Sequence, residues 1–222
     1  MADGNARPVE IGPMRLKALL GVPENARGLV IFAHGSGSGR LSPRNNYVAE
    51  RLRDAGLATL LLDLLTPAEE ANRANVFDIV LLASRLAVAT RWAATQDEIS
   101  ALPIGYFGAS TGAGAALVAA ALEADRVGAV VSRGGRPDLA GDALEKVRAP
   151  TLLIVGSLDT EVIELNRMAM ARMKTKCELV IVPGATHLFE EPGTLDEVVR
   201  HATRWFLEYL AQARGGPDNV AA

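Results

Sequence analysis

The sequence predicts an α/β fold in which helices cover both faces of a mostly parallel sheet. Short apolar runs alternate with helical segments along most of the chain. Most of these runs are apolar throughout, which is the pattern of strands buried on both faces. Apolar residues make up 49% of the 222 residues and charged residues 22%, an ordinary globular composition. We therefore expect one domain over residues 1–213 and a flexible tail over residues 214–222.

The apolar runs locate the strands of this sheet. An additional pair of antiparallel edge strands is predicted within residues 9–22, where Pro13 and Gly21 interrupt the pattern. The predicted strands of the parallel part are 28–33, 58–64, 103–107, 129–132, 151–155 and 178–182.

Helical periodicity appears in the segments between these strands. The predicted helices are 44–55, 76–95, 111–123, 160–173 and 195–213. Residues 134–150 are expected to hold only one short helix, which leaves no room for a large lid.

Composition also indicates which binding partners and which cellular compartment to expect. A net charge of −3 predicts no basic face for nucleic acid. The single Cys177 permits no intramolecular disulfide and favours a reducing cytoplasm. The first ten residues lack signal-peptide features, and Arg85 and Arg91 interrupt the apolar stretch 79–94, so no membrane partner is expected. The oligomeric state is not predicted.

Residues 104–112 read I-G-Y-F-G-A-S-T-G and contain a motif with a chemical meaning. Ser110 lies between Gly108 and Gly112, where a predicted strand meets a predicted helix. A serine on such a sharp turn requires strained backbone angles and small neighbours two positions to either side. The segment therefore predicts a nucleophile elbow with Ser110 as the nucleophile.

Two further candidates follow later strands. Asp159 and His187 each lie a few residues beyond a predicted strand, at the edge where α/β sheets bind ligands. The order serine, aspartate, histidine is that of a nucleophile, an orienting acid and a general base in this architecture. The hydroxyl of Ser110 is a weak nucleophile unless His187 accepts its proton, and Asp159 would hold the required tautomer.

Each candidate also has a simpler interpretation. Asp159 is suited to be the N-cap of the helix that follows it, and His187 to be an ordinary loop histidine. Asp63 and Asp138 compete for the role of orienting acid. We expect Asp63 to make local hydrogen bonds at a strand end and Asp138 to cap a short helix.

The run H-G-S-G-S-G over residues 34–39 follows the first long strand. Backbone N–H groups in such a loop can face a developing oxyanion. We expect the amides of Ser36 and of Thr111, the residue after the nucleophile, to form the oxyanion hole. A phosphate-binding loop is the rival interpretation, but the run has neither the lysine of nucleotide loops nor the complete dinucleotide fingerprint.

These residues together resemble the α/β-hydrolase superfamily, and within it the dienelactone-hydrolase-like family of small enzymes without a lid. The motifs are H-G-S-G, G-A-S-T-G, G-S-L-D and G-A-T-H-L-F, and the resemblance covers residues 28–210. It implies a serine hydrolase that cleaves an ester, lactone or related small acyl compound through an acyl-enzyme, without cofactor or metal. Dienelactone hydrolases proper use a cysteine nucleophile where this chain has Ser110.

Several questions about the substrate stay open at the level of sequence. Arg133 and Arg136 follow a strand and are candidates to bind a substrate carboxylate, or to be solvated or ion-paired. Leu188 and Phe189 are candidates for an acyl pocket or for packing under the last helix. An acyltransferase with the same triad and a ligand-binding protein with this fold are the alternative functions.

Overall fold

The computed structural model describes residues 6–214, and their strands form one eight-stranded sheet in the order β1-β2-β4-β3-β5-β6-β7-β8. Neighbouring strands from β4 through β8 in this order are parallel, whereas β1 and β2 run antiparallel to each other and β2 runs antiparallel to β4. The strands are β1 (Arg7–Ile11), β2 (Leu16–Gly21), β3 (Leu29–Ala33), β4 (Ala58–Leu62), β5 (Ile104–Ala109), β6 (Val127–Arg133), β7 (Thr151–Gly156) and β8 (Cys177–Val182).

Helices alternate with these strands. They are α1 (Pro43–Asp54), α2 (Pro67–Glu70), α3 (Arg73–Val76), α4 (Ile79–Ala93), α5 (Thr111–Leu122), α6 (Thr160–Arg172) and α7 (Thr194–Arg214). The predicted α/β architecture is therefore confirmed, including the antiparallel strands at one edge. Residues 215–222 of the predicted tail lie outside the described residues, and Arg214 is the last residue of α7.

Two apolar layers hold the helices against the sheet. Alternate residues of β3 point to opposite faces: Ile31 belongs to the layer that includes α4 and α5, whereas Val30 and Phe32 belong to the layer that includes α1 and α7. All five residues of β3 are buried, because a central strand of a doubly covered sheet has no solvent face.

The segment between β4 and α4 differs most from the sequence prediction. A single helix was expected over residues 76–95, but Asp78 accepts a hydrogen bond from the amide of Leu81 and starts α4 at Ile79. The short helix α2 was not predicted, although Thr66 and Glu69 form a capping box around Pro67. N-caps and capping boxes can be recognised in a sequence, and here the N-cap Asp78 divides the segment that was predicted as one long helix.

The segment between β6 and β7 contributes to the core. It contains a 3₁₀ helix, Pro137–Lys146, with a kink at Gly141. Ala140 and Leu144 are buried in the layer that contains α5. This segment therefore packs against the body of the protein and does not form a large lid. Among the helices of residues 6–214, none is both long and apolar enough to cross a membrane.

Parallel pairing determines where the functional candidates meet. The carboxyl ends of β3, β5, β7 and β8 lie at one edge of the sheet, because these strands all run in the same direction. The glycine-rich loop follows β3, and the three candidate catalytic residues follow β5, β7 and β8. Residues far apart in the chain are brought to one rim in this way.

Candidate active site

Ser110 occupies a sharp turn between β5 and α5. Its φ of 49° and ψ of −124° lie outside the regions that an L-residue normally adopts. A Cβ at Gly112 would lie 2.2 Å from the carbonyl oxygen of Ala33, and one at Gly108 would lie 2.5 Å from the Cα of Ala113. Glycine is therefore required on both sides of Ser110, as the motif predicts.

Backbone hydrogen bonds hold this strained turn. The amide of Ser110 donates to the carbonyl of Arg133 at 3.3 Å, and the carbonyl of Ser110 accepts from Ala113 and Arg136, both at 3.0 Å. A strained backbone conformation costs about 1–3 kcal/mol, and it is kept only where the surrounding contacts stabilise it. The turn thus keeps the serine side chain at the start of α5.

His187 and Asp159 form a direct pair. The distance from His187 Nδ1 to Asp159 Oδ2 is 2.6 Å. A carboxylate oxygen can only accept, so Nδ1 carries the proton and the Nε2 lone pair of the neutral ring is left for another group. Asp159 does precede α6 at the N-cap position, but its side chain makes no capping hydrogen bond. Its carboxylate is directed to His187 instead.

Close contact between two loops makes this pair possible. Leu158 donates its amide to the carbonyl of Ala185 at 3.0 Å, and Gly184 donates to Ser157 Oγ at 2.8 Å. A Cβ at Gly156 would lie 2.3 Å from the oxygen of Ala185. The absence of a side chain at Gly156 therefore lets the Asp159 loop approach the His187 loop.

Glu191 closes the His187 loop from the other side. Its carboxylate accepts from the amide of Thr186 at 3.1 Å and from the hydroxyl of Thr186 at 2.6 Å. These hydrogen bonds lower the pKa of Glu191 below its ordinary value, the hydroxyl making the largest contribution. The residue before His187 is therefore fixed by a carboxylate that sequence analysis did not single out.

Ser110 and His187 line the same cavity, which has a volume of about 680 Å³. The glycine-rich loop over residues 34–39 forms one wall, and Arg133 and Leu188 also line it. A cavity of this size fits a small organic ligand.

The glycine-rich loop is held by its own histidine. His34 Nδ1 lies 2.9 Å from the carbonyl oxygen of Gly35, and His34 Nε2 accepts from the amide of Leu64 at 3.1 Å. Acceptance at Nε2 places the ring proton on Nδ1, which donates to Gly35. His34 therefore ties the loop to the end of β4. Its position after β3 and before a glycine run is the signal that would have identified it.

Both predicted oxyanion donors lie at the elbow. Ser36 lines the cavity, and its amide donates to Thr111 Oγ1 at 3.1 Å. Thr111 is the first residue of α5, where backbone N–H groups have no partner within the helix. The amide of Thr111 is also near the positive end of the helix dipole.

Arg133 is an unusual cation because it is buried within the cavity wall. It is 6% exposed, and it donates from Nη2 to Asn45 Oδ1 at 3.1 Å. Its Nε is buried without a hydrogen-bond partner among residues 6–214. Burial, followed by the nearby charge of Arg44, lowers the pKa of Arg133 to about 10.

Arg136 is ion-paired, which is one of the alternatives that the sequence left open. Its guanidinium donates to both oxygens of Asp138 at 2.8 and 2.7 Å, and it is not among the residues that line the cavity. The prediction that Asp138 caps a helix is wrong, because its carboxylate is used by Arg136. Asp63 makes the expected hydrogen bonds at a strand end, with the amide of Arg40 at 2.6 Å.

Leu188 and Phe189, the two candidates for an apolar acyl pocket, have different environments. Leu188 is 38% exposed and lines the cavity. Phe189 is 2% exposed, has a φ of 56° and packs in the layer of α1 and α7. Phe189 is therefore a packing residue, because its ring is buried in that core layer.

Comparison with known proteins identifies the class. Residues 16–212 match the model of the dienelactone hydrolase family, and the chain belongs to this family. A dienelactone hydrolase from Anabaena variabilis ATCC 29413 is 57% identical, with a TM-score of 0.89 over 92% of this chain and 97% of that one. The family model and this neighbour support the α/β-hydrolase fold.

Other relatives extend the comparison. Est1E from Butyrivibrio proteoclasticus is 20% identical, with a TM-score of 0.78 over 93% of this chain and 99% of that chain, and shares the fold. A curated relative from Mycobacterium tuberculosis H37Rv, named "Putative phosphoribosyl transferase Rv0571c", is 65% identical over 213 residues. That match covers 94% of this chain but 48% of the relative, so the chain spans about half of the relative's length.

Proposed function

We propose that this protein hydrolyses carboxylic esters, lactones or related small acyl compounds with Ser110 as nucleophile, His187 as general base and Asp159 as orienting acid. The observation that carries the proposal is the 2.6 Å contact between His187 Nδ1 and Asp159 Oδ2, in a cavity that also contains the strained Ser110. The family model supports hydrolase chemistry over residues 16–212. The name "Putative phosphoribosyl transferase" belongs to proteins about twice the length of this chain.

The reaction proceeds through two acyl-transfer steps. Ser110 Oγ bonds to the substrate carbonyl carbon while its proton moves to His187 Nε2, and the carbonyl oxygen becomes an oxyanion. The amides of Ser36 and Thr111 stabilise that oxyanion. His187 then protonates the departing alkoxide as the ester bond breaks, which leaves an acyl group on Ser110.

Water completes the cycle. His187 takes a proton from water as the water oxygen bonds to the acyl carbon, and the resulting oxyanion uses the same two amides. Collapse of this intermediate breaks the bond to Ser110 Oγ and returns the proton to it. The product is the free acid. In a lactone, the alcohol and the acid remain in one molecule.

A fluorophosphonate probe tests the nucleophile. We expect intact-mass spectrometry to find one probe on the wild type and none on Ser110→Ala, because the probe reacts with an activated serine. Asp159→Asn is expected to label at least about 100-fold more slowly, since the histidine tautomer is lost. A wild type that stays unlabelled would favour the ligand-binding alternative, and equal labelling of Ser110→Ala would exclude this nucleophile.

Acyl transfer uses the same groups with an alcohol or thiol in place of water. Product analysis during turnover with a competing alcohol distinguishes the two reactions. We expect the free acid as the main product because Ser36 and Gly37, which line the cavity, are exposed to solvent, so water can reach the acyl group. A predominant transesterification product would assign the protein to the acyltransferases.

We also propose that Arg133 favours substrates with a free carboxylate. Arg133 lines the cavity, and its guanidinium donates to the neutral side chain of Asn45. A substrate carboxylate would supply the missing counter-charge, and a hydrogen bond to a charged group contributes about 1.5–3 kcal/mol. For Arg133→Met, the ratio of kcat/KM for a carboxylate-bearing ester to that for a neutral ester should fall at least about tenfold.

Arg136→Met is the matched control, because the Arg136 guanidinium is bound by Asp138 and does not line the cavity. Its ratio should equal that of the wild type. Equal losses on both esters in Arg133→Met would mean that Arg133 only supports the structure.

A further inference from the structure

The hydroxyl of Thr111 contacts the loop that carries the first oxyanion donor. Ser36 N donates to Thr111 Oγ1 at 3.1 Å, although the two residues are 75 positions apart in the chain. Thr111 is 7% exposed and Ser36 is exposed, so this hydrogen bond is partly buried. The bond joins the loop after β3 directly to the residue that follows the nucleophile.

The loop needs such an anchor at its centre. Three glycines, Gly35, Gly37 and Gly39, lie within six residues, and Gly37 has a φ of 69°. Glycine-rich segments have many accessible conformations, and ordering them costs entropy. His34 fixes the start of the loop through Leu64, and Asp63 fixes its end through the amide of Arg40. Between these two points, Thr111 holds the amide of Ser36.

Space around the elbow sets the position of the loop closely. A Cβ at Gly35 would lie 3.0 Å from Ser110 Cβ and 3.7 Å from Ser110 Oγ. The loop therefore passes directly beside the nucleophile. A small displacement of Ser36 would move its amide relative to the oxyanion, and displacements of about 1 Å can reduce rates about 100-fold.

We propose that the Thr111 hydroxyl is a positioning group that aligns the Ser36 amide before the oxyanion forms; this inference rests on the proposed function. In the free enzyme the hydroxyl oxygen accepts the Ser36 N–H and keeps it directed at the elbow. When the substrate carbonyl becomes an oxyanion, the Ser36 N–H passes from the Thr111 hydroxyl to the oxyanion beside it, while the backbone of the loop stays in place. Thr111 thus acts twice, through its amide as a donor and through its hydroxyl as an anchor.

Thr111→Val removes the hydroxyl and keeps the shape of the side chain. We expect kcat for a neutral short-chain ester to fall about 10-fold to 100-fold, with KM changed less than about twofold, because alignment matters in the transition state. Thr111→Ser keeps the hydroxyl and should stay within about threefold of the wild type. A trifluoromethyl ketone, which forms a tetrahedral oxyanion with Ser110, should bind Thr111→Val more weakly by the same factor as the loss in kcat.

Thr151→Val is the matched control for the loss of a buried threonine hydroxyl. Thr151 is fully buried at the start of β7, at the opposite edge of the sheet, and donates to the carbonyl of Ala149 at 3.1 Å. Its variant should keep the wild-type kcat and ketone affinity. Comparison of the two valine variants therefore separates the effect of losing a buried hydroxyl on stability from its effect on the oxyanion.

An unchanged kcat in Thr111→Val would overturn the proposal, because the hydroxyl would then be unnecessary for alignment. An increased kcat would also overturn it, because the hydroxyl would then compete with the oxyanion for the Ser36 amide. Equal losses in Thr111→Ser and Thr111→Val would overturn it as well. Amide hydrogen exchange provides a readout independent of turnover: residues 34–40 should exchange faster in Thr111→Val than in Thr151→Val. Failure of the wild type to label with a fluorophosphonate contradicts the proposed function, whereas unchanged loop exchange contradicts the anchor.

Discussion

Ser110 combines a functional requirement with a structural cost. Its φ of 49° would be tolerated best by glycine, yet the side chain is needed for the proposed chemistry. The cost is met by the hydrogen bonds of its amide and carbonyl and by close packing around Gly112. At this residue, stability and activity are therefore expected to oppose each other.

Substitution of Ser110 tests that opposition. Both Ser110→Ala and Ser110→Gly should lose turnover and probe labelling, because both lack the hydroxyl. Ser110→Gly should nevertheless unfold with a free energy about 1 kcal/mol higher than Ser110→Ala, since glycine is not strained at this φ. Urea denaturation of the two variants makes the comparison, and a less stable glycine variant would contradict the strain.

Arg133 leads to a prediction about pH. Burial and the charge of Arg44 lower its pKa from 12.5 to about 10. Below that value the guanidinium is charged and can attract a carboxylate, and above it the charge is lost. The preference for carboxylate-bearing over neutral esters should therefore decline as the pH rises through about 10, after subtraction of uncatalysed hydrolysis. A preference that is constant to about pH 11 would contradict the lowered pKa of Arg133.

At the scale of elements, the site depends on contact between the loops after β7 and β8. Gly156 ends β7 at a point where the carbonyls of Ala185 and Thr186 approach within 2.6 Å of a hypothetical Cβ. Backbone atoms cannot move aside as a flexible side chain can. A methyl group there must push the two loops apart, and with them Asp159 and His187.

Gly156→Ala should lower kcat about 100-fold, because displacement of the pair by about 1 Å is enough for such a loss. The free energy of unfolding should fall by about 1–3 kcal/mol from overpacking. Gly128→Ala is a control, since its Cβ would meet side-chain atoms at 3.2 Å or more, remote from the site. A Gly156→Ala enzyme with normal kcat would show that the two loops can separate without consequence.

At the scale of the molecule, the sheet and the order of the site residues could be predicted because they follow from local patterns. Buried strands read as apolar runs, and Ser110, Asp159 and His187 each lie just after one. Side-chain partners were harder to predict. Arg136 binds Asp138 and does not line the cavity, and Phe189 is buried in the core although it follows Leu188, which lines the cavity. Both facts depend on the three-dimensional positions of the loops, which the sequence pattern does not give.

The contacts that shape the cavity were also harder to predict than the loops that form it. A histidine before a glycine run indicates a loop at a strand end, but the hydrogen bond from Leu64 to His34 depends on the neighbouring position of β4. The contact between Ser36 and Thr111 likewise arises because β3 and β5 are adjacent strands. Sequence patterns predicted each loop, and the strand order determines which loops meet.

Cys177 provides a reporter for the whole fold. Burial, followed by the charge of Glu178, raises the pKa of its thiol to about 12. The thiolate fraction at about pH 8 is then roughly a thousandfold below that of an ordinary cysteine. Iodoacetamide should modify Cys177 slowly in the native protein and rapidly in urea, with a midpoint that matches global unfolding. Fast modification of the native protein would contradict this burial.

The central claim is that Ser110 carries the acyl group during turnover. Rapid acid quenching of the wild type during hydrolysis of a short-chain p-nitrophenyl ester, followed by peptide mass spectrometry, measures this directly. We expect a mass increase of one acyl group on the peptide that contains Ser110, and its disappearance once the substrate is consumed. Sustained turnover with no acyl group on Ser110, or with the group on another residue, would contradict the account.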